Sequence, residues 1–239
     1  MAKFRQAVAF HSSGQLAAAG QLYRDVLVLH PDHPEALHWL AVIEGQGGNP
    51  ALAARMLARS AEINPHDPST HGDLGTALRE LNQREEALAC YDRALAIKPD
   101  FVKVWCDRGV VLHELQRALE AQVSYDRALA LQPDHVEALL KSARLVFEQG
   151  HVADALARCR RALALEETDF ARNEFAEILR EARFTREDPD LRRLVVRAIG
   201  EPWGRPNELG PAGVSLLKCR DDLQDCIARA YRARPSISS

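Results

Sequence analysis

Hydrophobic and polar residues follow helical spacing along most of the chain, and the whole pattern returns after 34 residues. Segments 68–101 and 102–135 align without a gap, and CYDRALAIKPD in the first matches SYDRALALQPD in the second. Apolar residues at helical intervals predict two helices in segment 68–101, about Ser69 to Leu81 and Arg84 to Ile97. The unit of this chain is therefore expected to be a pair of helices.

Small residues recur at the same places in both segments. The aligned pairs are Gly75 with Gly109, Ala87 with Ala121, Tyr91 with Tyr125, Ala94 with Ala128, and Pro99 with Pro133. We expect Gly75 and Ala87 to be small because the two helix backbones approach closely there, so that a bulky side chain overpacks the contact. Pro99 ends the second helix, since proline cannot continue a helical hydrogen-bond ladder.

Together these residues resemble the tetratricopeptide repeat, a helix–turn–helix unit of this length with small, aromatic and proline positions. In the same phase the chain holds five consecutive copies, at 1–33, 34–67, 68–101, 102–135 and 136–169. The resemblance implies an all-α fold in which the copies stack into a right-handed α-solenoid. Segment 170–183 is amphipathic and is expected to be a capping helix on the last copy, and segment 184–239 a small helical tail.

The tail also resembles the helical connector that joins repeat arrays to catalytic domains in some bacterial methyltransferases and glycosyltransferases. A helix is expected from Leu191 to Ile199, and two more around Gly213 to Cys219 and Asp221 to Arg234. Trp203 stands in the proline-rich stretch EPWGRPNELGP. We expect it either to lock the tail onto the array or to anchor a further domain.

Composition narrows the class of protein. The net charge of −3 offers no bulk electrostatic attraction for nucleic acid or an anionic membrane. The five cysteines are dispersed and form no Cys-x-x-Cys pair, which favours reduced thiols and a cytoplasmic protein. Neither a signal peptide nor an apolar run long enough to span a bilayer is apparent.

Candidate chemistry is scarce. No Gly-x-Ser-x-Gly, His-Glu-x-x-His or P-loop motif occurs, so we expect no catalysis, no cofactor and no metal. The loop GQGGNP lacks a preceding strand and a following Gly-Lys-Ser/Thr, which favours an ordinary turn between helices over a phosphate site. His33 and His135 fall at helix ends, and Cys90 and Cys159 at buried positions. Trp105 is expected at a core position of its helix.

The resemblance places ligand binding in a concave groove lined by first helices, at motif positions two, five, six, nine, twelve and thirteen. Positions six, nine and thirteen give the candidate partner-binding residues Arg5, Trp39, Asp73, Thr76, Glu80, Asp107, Val110, Glu114, Lys141 and Arg144. The family's asparagine ladder for extended peptides is absent at position six. Its Lys/Asn/Arg clamp for a terminal carboxylate is absent as well.

The groove is thus expected to have an acidic middle, which favours a basic or polar extended segment of a protein or peptide partner. Alternatively, these acids are only a solvated face. Trp39 is either a binding hot spot or a packing residue beneath the turn at Glu44. The function predicted is a non-catalytic protein-interaction scaffold. The alternatives are the recruiting region of a larger bacterial transferase, and a scaffold that assembles with copies of itself.

Overall fold

The computed structural model describes residues 2–182, 189–201, 203 and 215, and these residues form twelve α-helices and no strand. The helices are α1 Ala2–Ser12, α2 Leu16–Leu29, α3 Pro34–Gln46, α4 Pro50–Ile63, α5 Pro68–Glu80, α6 Arg84–Ile97, α7 Val102–Glu114, α8 Ala118–Leu131, α9 Val136–Glu148, α10 Val152–Leu165, α11 Asp169–Glu181 and α12 Pro189–Gly200. The prediction of an all-α helical repeat is confirmed. The boundaries of five repeats, cap and tail stay predictions.

Two compact units divide the chain, Met1–Pro133 and Asp134–Ser239. In the first unit each odd-numbered helix packs on the helix that follows it, and α5 also contacts α3 and α7. The first helices α3, α5 and α7 are therefore neighbours in one layer. Each pair buries an apolar face that one hairpin cannot cover by itself, and the next pair covers it.

A tight contact between glycine and tyrosine joins the helices of two pairs. A Cβ on Gly75 would lie 2.6 Å from Tyr91 Cε1, and one on Gly109 would lie 2.5 Å from Tyr125 Cε1. Tyr91 is fully buried, and so is Tyr125 apart from 1% of its surface. The predicted close approach of the helix backbones is therefore present, and the tyrosine ring fills the space above the glycine.

The turn inside each helix pair has one residue in the left-handed region. Gly14, Gly48 and Gly150 have φ of 75°, 83° and 85°, while Asn82 and Gln116 have φ of 64° and 60°. Only glycine adopts this conformation without steric cost, and asparagine tolerates it better than most residues. Gly48 lies in GQGGNP, so that loop is an interhelical turn, as the sequence predicted.

The second unit contains α9 to α12. Trp203 is 2% exposed, and its ring lies 6.0 Å from that of Phe175 on α11. The Arg172 and Arg197 guanidinium groups stand 5.6 and 5.1 Å from the Trp203 ring. Of the two roles expected for Trp203, these contacts favour the lock, because a buried indole fixes its segment against α11. Helix α12 spans the helix predicted from Leu191 to Ile199. Of the two helices predicted further on, Ser215 is described and is helical, and the rest of both lies outside the described residues.

Candidate functional site

The ten candidate residues fall into both units. Helices α1, α3, α5 and α7 of the first unit hold Arg5, Trp39, Asp73, Thr76, Glu80, Asp107, Val110 and Glu114, and α9 of the second unit holds Lys141 and Arg144. We call the exposed and half-buried surface of α1, α3, α5 and α7 the first-helix face. Arg5 and Glu80 are exposed on it, Trp39 is 38% exposed, and Val110 is half-buried.

Three of the four candidate acids on the first-helix face are paired within the protein. Asp107 accepts from Lys103 Nζ at 3.1 Å, one helical turn away on α7. Glu114 accepts from Arg79 Nη1 at 3.3 Å and from Arg84 Nε at 2.9 Å. Internal cations therefore offset much of the acidic charge that the sequence places here.

Asp73, the third paired acid, faces the buried side chain of His38 on α3. His38 is 5% exposed, and its Nε2 lies 3.3 Å from Asp73 Oδ2. The Thr70 hydroxyl donates to Asp67 Oδ2 at 2.5 Å, so the Thr70 oxygen accepts from His38 Nδ1 at 2.8 Å. A neutral imidazole with its hydrogen on Nδ1 has an acceptor at Nε2, and a carboxylate is also an acceptor. Nε2 and the Asp73 carboxylate therefore attract each other only when a second proton lies between them.

Burial and charge act in opposite directions on Asp73. Burial raises the pKa of the Asp73 carboxyl above its usual range, and the charges of His38 and Lys103 partly oppose that rise. A half-buried carboxyl of this kind holds a proton more readily than an exposed one. The pair of His38 and Asp73 is thus the titratable centre of the first-helix face.

Trp39 makes T-shaped contacts with two imidazole rings. Its ring centroid lies 5.0 Å from that of His11 on α1, with an interplanar angle of 73°, and 4.9 Å from that of His38, with an angle of 81°. Burial lowers the pKa of His11, and the nearby charge of His38 lowers it further. Trp39 is therefore fixed in orientation while more than a third of its surface stays open.

His11 and His38 are not among the residues predicted from motif positions six, nine and thirteen. In the same phase His38 occupies position five and His11 position twelve, both of which line the groove expected from the resemblance. Both histidines are found when all six ligand-binding positions of the motif are considered instead of positions six, nine and thirteen alone. His38 is the sequence neighbour of Trp39, whereas the contact of His11 with Trp39 joins two repeats, which a linear pattern does not show.

Trp105 differs from the sequence prediction. It is half-buried rather than part of the core, and its indole Nε1 donates to the Pro99 carbonyl at 2.9 Å. The neighbouring Cys106 is the residue that enters the core, with 1% exposure. A half-buried tryptophan is stable here because its N–H is paired with an acceptor in the preceding turn.

In the second unit both candidate residues are engaged by α11. Arg144 donates to the Glu174 carboxylate through Nε at 3.0 Å and Nη2 at 2.9 Å. Hydrogen bonding to Glu174 raises the pKa of Arg144. Lys141 Nζ stands 4.9 Å from the Phe170 ring centroid. Both cations therefore already have partners, which makes them less available to a ligand than the sequence suggested.

Histidine and cysteine serve the fold in several places. Ala36 N donates to His33 Nδ1 and Ala138 N to His135 Nδ1, so both histidines cap helices as expected. Cys90 and Cys159 are buried, and burial raises the pKa of the Cys159 thiol to about 12. Among the residues described, no group of three or more His, Cys, Asp or Glu side chains converges as metal ligands would.

Family models account for most of the helical repeat. One described as tetratricopeptide repeat matches residues 4–68 and 116–174, and one described as TPR repeat matches residues 75–116. The chain belongs to the tetratricopeptide repeat family. None of the helices in the described part of the chain is long and apolar enough to cross a membrane.

Curated relatives match only over part of their length. Protein FlbA of Caulobacter vibrioides is 31% identical over 99 residues, which are 41% of this chain and 17% of FlbA. Human tetratricopeptide repeat protein 7A is 29% identical over 85 residues, 36% of this chain and 10% of that protein. The peroxisomal targeting signal receptor of Kluyveromyces lactis is 45% identical over 42 residues, 18% of this chain and 7% of the receptor. The chain thus spans less than a fifth of each relative.

Solved structures share the fold. TTC0263, a thermophilic TPR protein of Thermus thermophilus, superposes with a TM-score of 0.61 at 26% identity, covering 74% of this chain and 97% of that one. MamA gives 0.60 at 20% identity over 67% of this chain and 94% of its own. YrrB, described as a TPR protein with an unusual peptide-binding site, gives 0.58 at 18% identity over 71% and 88%.

Proposed function

We propose that this chain is a protein-interaction scaffold without catalysis of its own, and that it binds an extended polypeptide segment along the first-helix face of its first unit. Membership of the tetratricopeptide repeat family supports the scaffold role. The finer statement, that α1, α3, α5 and α7 carry the ligand, rests on the side chains of that face.

The open ring of Trp39 is the observation that carries the proposal. The carboxylates of Asp73, Asp107 and Glu114 on the same face have internal partners, whereas 38% of Trp39 is exposed. Val8, on the neighbouring α1, is 36% exposed. Large rigid side chains of this kind dominate the affinity of protein interfaces, because burying them removes much apolar surface at little entropic cost.

Selection from a random dodecamer library on the purified chain tests this function. Fluorescein-labelled copies of the enriched peptides are titrated by fluorescence polarisation against the chain and against Trp39→Ala. We expect Kd to rise about 30-fold in the variant, the loss typical of a hot-spot residue of about 2 kcal/mol. Far-UV circular dichroism verifies that the variant keeps its helices.

Leu119→Ala is the matched control, because Leu119 is 79% exposed on α8, the second helix of its pair. We expect it to leave Kd unchanged. Peptides that bind Trp39→Ala as tightly as the parent chain, or no enrichment above a bead control, contradict binding on the first-helix face. Neither the transferase arm nor self-assembly is favoured by an observation on the residues described, and we propose neither.

A further inference from the structure

Four rings form a continuous chain of contacts at one end of the first-helix face. Tyr23 lies 6.1 Å from His11, His11 lies 5.0 Å from Trp39, and Trp39 lies 4.9 Å from His38, measured between ring centroids. Tyr23 is fully buried, yet its hydroxyl has no hydrogen-bond partner among the described residues, and the same holds for His11 Nδ1. Buried polar atoms are normally paired, so this end of the face has unmet hydrogen-bonding capacity.

Carboxylates flank the ring cluster on both sides of His38. Asp73 lies at its Nε2, and Asp67 Oδ2 lies 4.0 Å from its Nδ1. A cleft of about 410 Å³ opens beside Trp39 and is lined also by Glu35 and Asp67. That volume is within the range of ligand pockets, roughly 300–1,000 Å³. Three carboxylates therefore lie beside His38 or line the cleft next to Trp39.

This combination fits a cation better than an anion or an apolar group. The face of a tryptophan ring attracts an ammonium or guanidinium group, and a half-buried carboxylate adds a charge-assisted hydrogen bond. Asp73 keeps 34% of its side-chain surface exposed, so a ligand reaches it from solvent. Asp107 is less open, with 15% exposure, and is held by Lys103.

We propose that Trp39 and Asp73 form an anchor subsite for a lysine or arginine side chain of the bound segment, and that this cation takes the place of His38 beside the Asp73 carboxylate. The proposal rests on the proposed function, because it specifies the ligand chemistry of the same face. It accounts for a buried histidine that has an acceptor at each ring nitrogen. It also gives a role to the pairing of Asp73 with a histidine, since an imidazole is more easily displaced from a carboxylate than a guanidinium group held by two hydrogen bonds.

The direction of the pH dependence follows from the groups that face His38 and Asp73. Burial raises the pKa of Asp73, so at low pH its carboxyl holds a proton more readily than an exposed acid does. Protonated His11 then also adds a positive charge beside Trp39, although burial lowers its pKa. As the pH rises, Asp73 and His11 lose their protons, and the Asp73 carboxylate becomes available to the ligand cation. Lys103 and Asp107 face Asp73 from α7. Affinity for a basic side chain is therefore expected to increase with pH.

The probe is the tightest dodecamer obtained by the selection described above, compared with a twin in which each arginine is citrulline and each lysine is acetyl-lysine. These replacements keep the shape and remove the charge. At pH 7.5 we expect the neutral twin to bind about tenfold more weakly, as for the loss of one charge-assisted hydrogen bond. Asp73→Asn should bring that ratio close to one. Asp126→Asn, the same change at an exposed residue of α8, the second helix of its pair, should leave it at about tenfold.

The second arm varies the pH from 5.5 to 7.5. Between these two pH values the affinity of the charged peptide should rise about tenfold, because its binding displaces one proton that titrates over part of this range. The affinity of the neutral twin should not change. Asp73→Asn keeps a hydrogen-bonding side chain that carries no charge at either pH, and it should abolish the gain. Circular dichroism at each pH verifies the fold.

Different failures separate the two proposals. A selected peptide without a basic residue, equal affinity of the twin peptides, or an unchanged ratio in Asp73→Asn overturns the cationic anchor while the scaffold function stands. Affinity of the charged peptide that falls as the pH rises overturns the role of the Asp73 carboxylate. Failure to select any peptide that depends on Trp39 overturns both.

Discussion

The contact between Gly75 and Tyr91 allows a stability prediction with a worked magnitude. In Gly75→Ala the new Cβ lies 2.6 Å from Tyr91 Cε1, 2.8 Å from Cδ1 and 3.0 Å from Cζ. Carbon atoms attract best at about 3.5–4.0 Å, and Tyr91 is fully buried, so its ring has no open space to move into. Overpacking costs roughly 1–3 kcal/mol, and three close ring atoms place this change near the upper end.

Alanine is also a better helix former than glycine, by about 1 kcal/mol. The net loss in the free energy of unfolding is then about 2 kcal/mol. In a protein of this size it lowers Tm by roughly 4–8 °C. Thermal unfolding followed by circular dichroism at 222 nm, the standard helix wavelength, measures it.

Gly20→Ala provides the matched control, since the nearest atom to its Cβ is Ile43 Cγ2 at 3.7 Å. Only the gain in helix propensity applies there, so Tm should rise by roughly 2–4 °C. The preceding repeat has an alanine and a leucine at the two equivalent positions. A double variant, Gly75→Ala with Tyr91→Leu, recreates that pair and should recover part of the loss. Equal Tm values for Gly75→Ala and Gly20→Ala would refute the packing argument.

Two further substitutions test other parts of the chain. Gln116→Gly should stabilise the protein by about 0.5–1 kcal/mol, because Gln116 has φ of 60° and glycine adopts that conformation without the steric cost. Urea unfolding measures the gain, and Gly48→Gln should show a loss of similar size. A destabilised Gln116→Gly would contradict the turn geometry. Trp203→Ala should lower the free energy of unfolding by about 3–5 kcal/mol and make the second unit more sensitive to limited proteolysis, because it removes a buried indole. Val196→Ala, at a residue 64% exposed on α12, should change little. Equal digestion rates for the two variants would argue against the lock.

The helical repeat was predictable from local pattern. Helix α6, Arg84–Ile97, has the bounds that the hydrophobic spacing predicts, and α5 begins and ends one residue before the predicted helix. These helices depend on residues close in sequence, so the pattern along the chain is enough to predict them. Gly75 and Gly109 were likewise identified from their alignment, because each needs only the tyrosine of its own helix pair.

The electrostatics of the candidate site were only partly predictable. The positions of Asp73, Asp107 and Glu114 on first helices follow from the repeat phase, but their partners do not. Arg79 and Arg84 are on the preceding helix pair, about one repeat away in sequence from Glu114, and their reach depends on side-chain geometry.

The sequence by itself determined the period, the helices and which faces they bury, because each follows from the spacing of apolar and small residues within one repeat. Tertiary structure alone decided which charges are paired, that Trp203 is buried against α11, and that His11, Trp39 and His38 meet. The contacts of Glu114 with Arg79 and Arg84, and of His11 with Trp39, join side chains from different repeats. Their distances depend on how successive helix pairs stack, and no local pattern in the chain encodes that arrangement residue by residue.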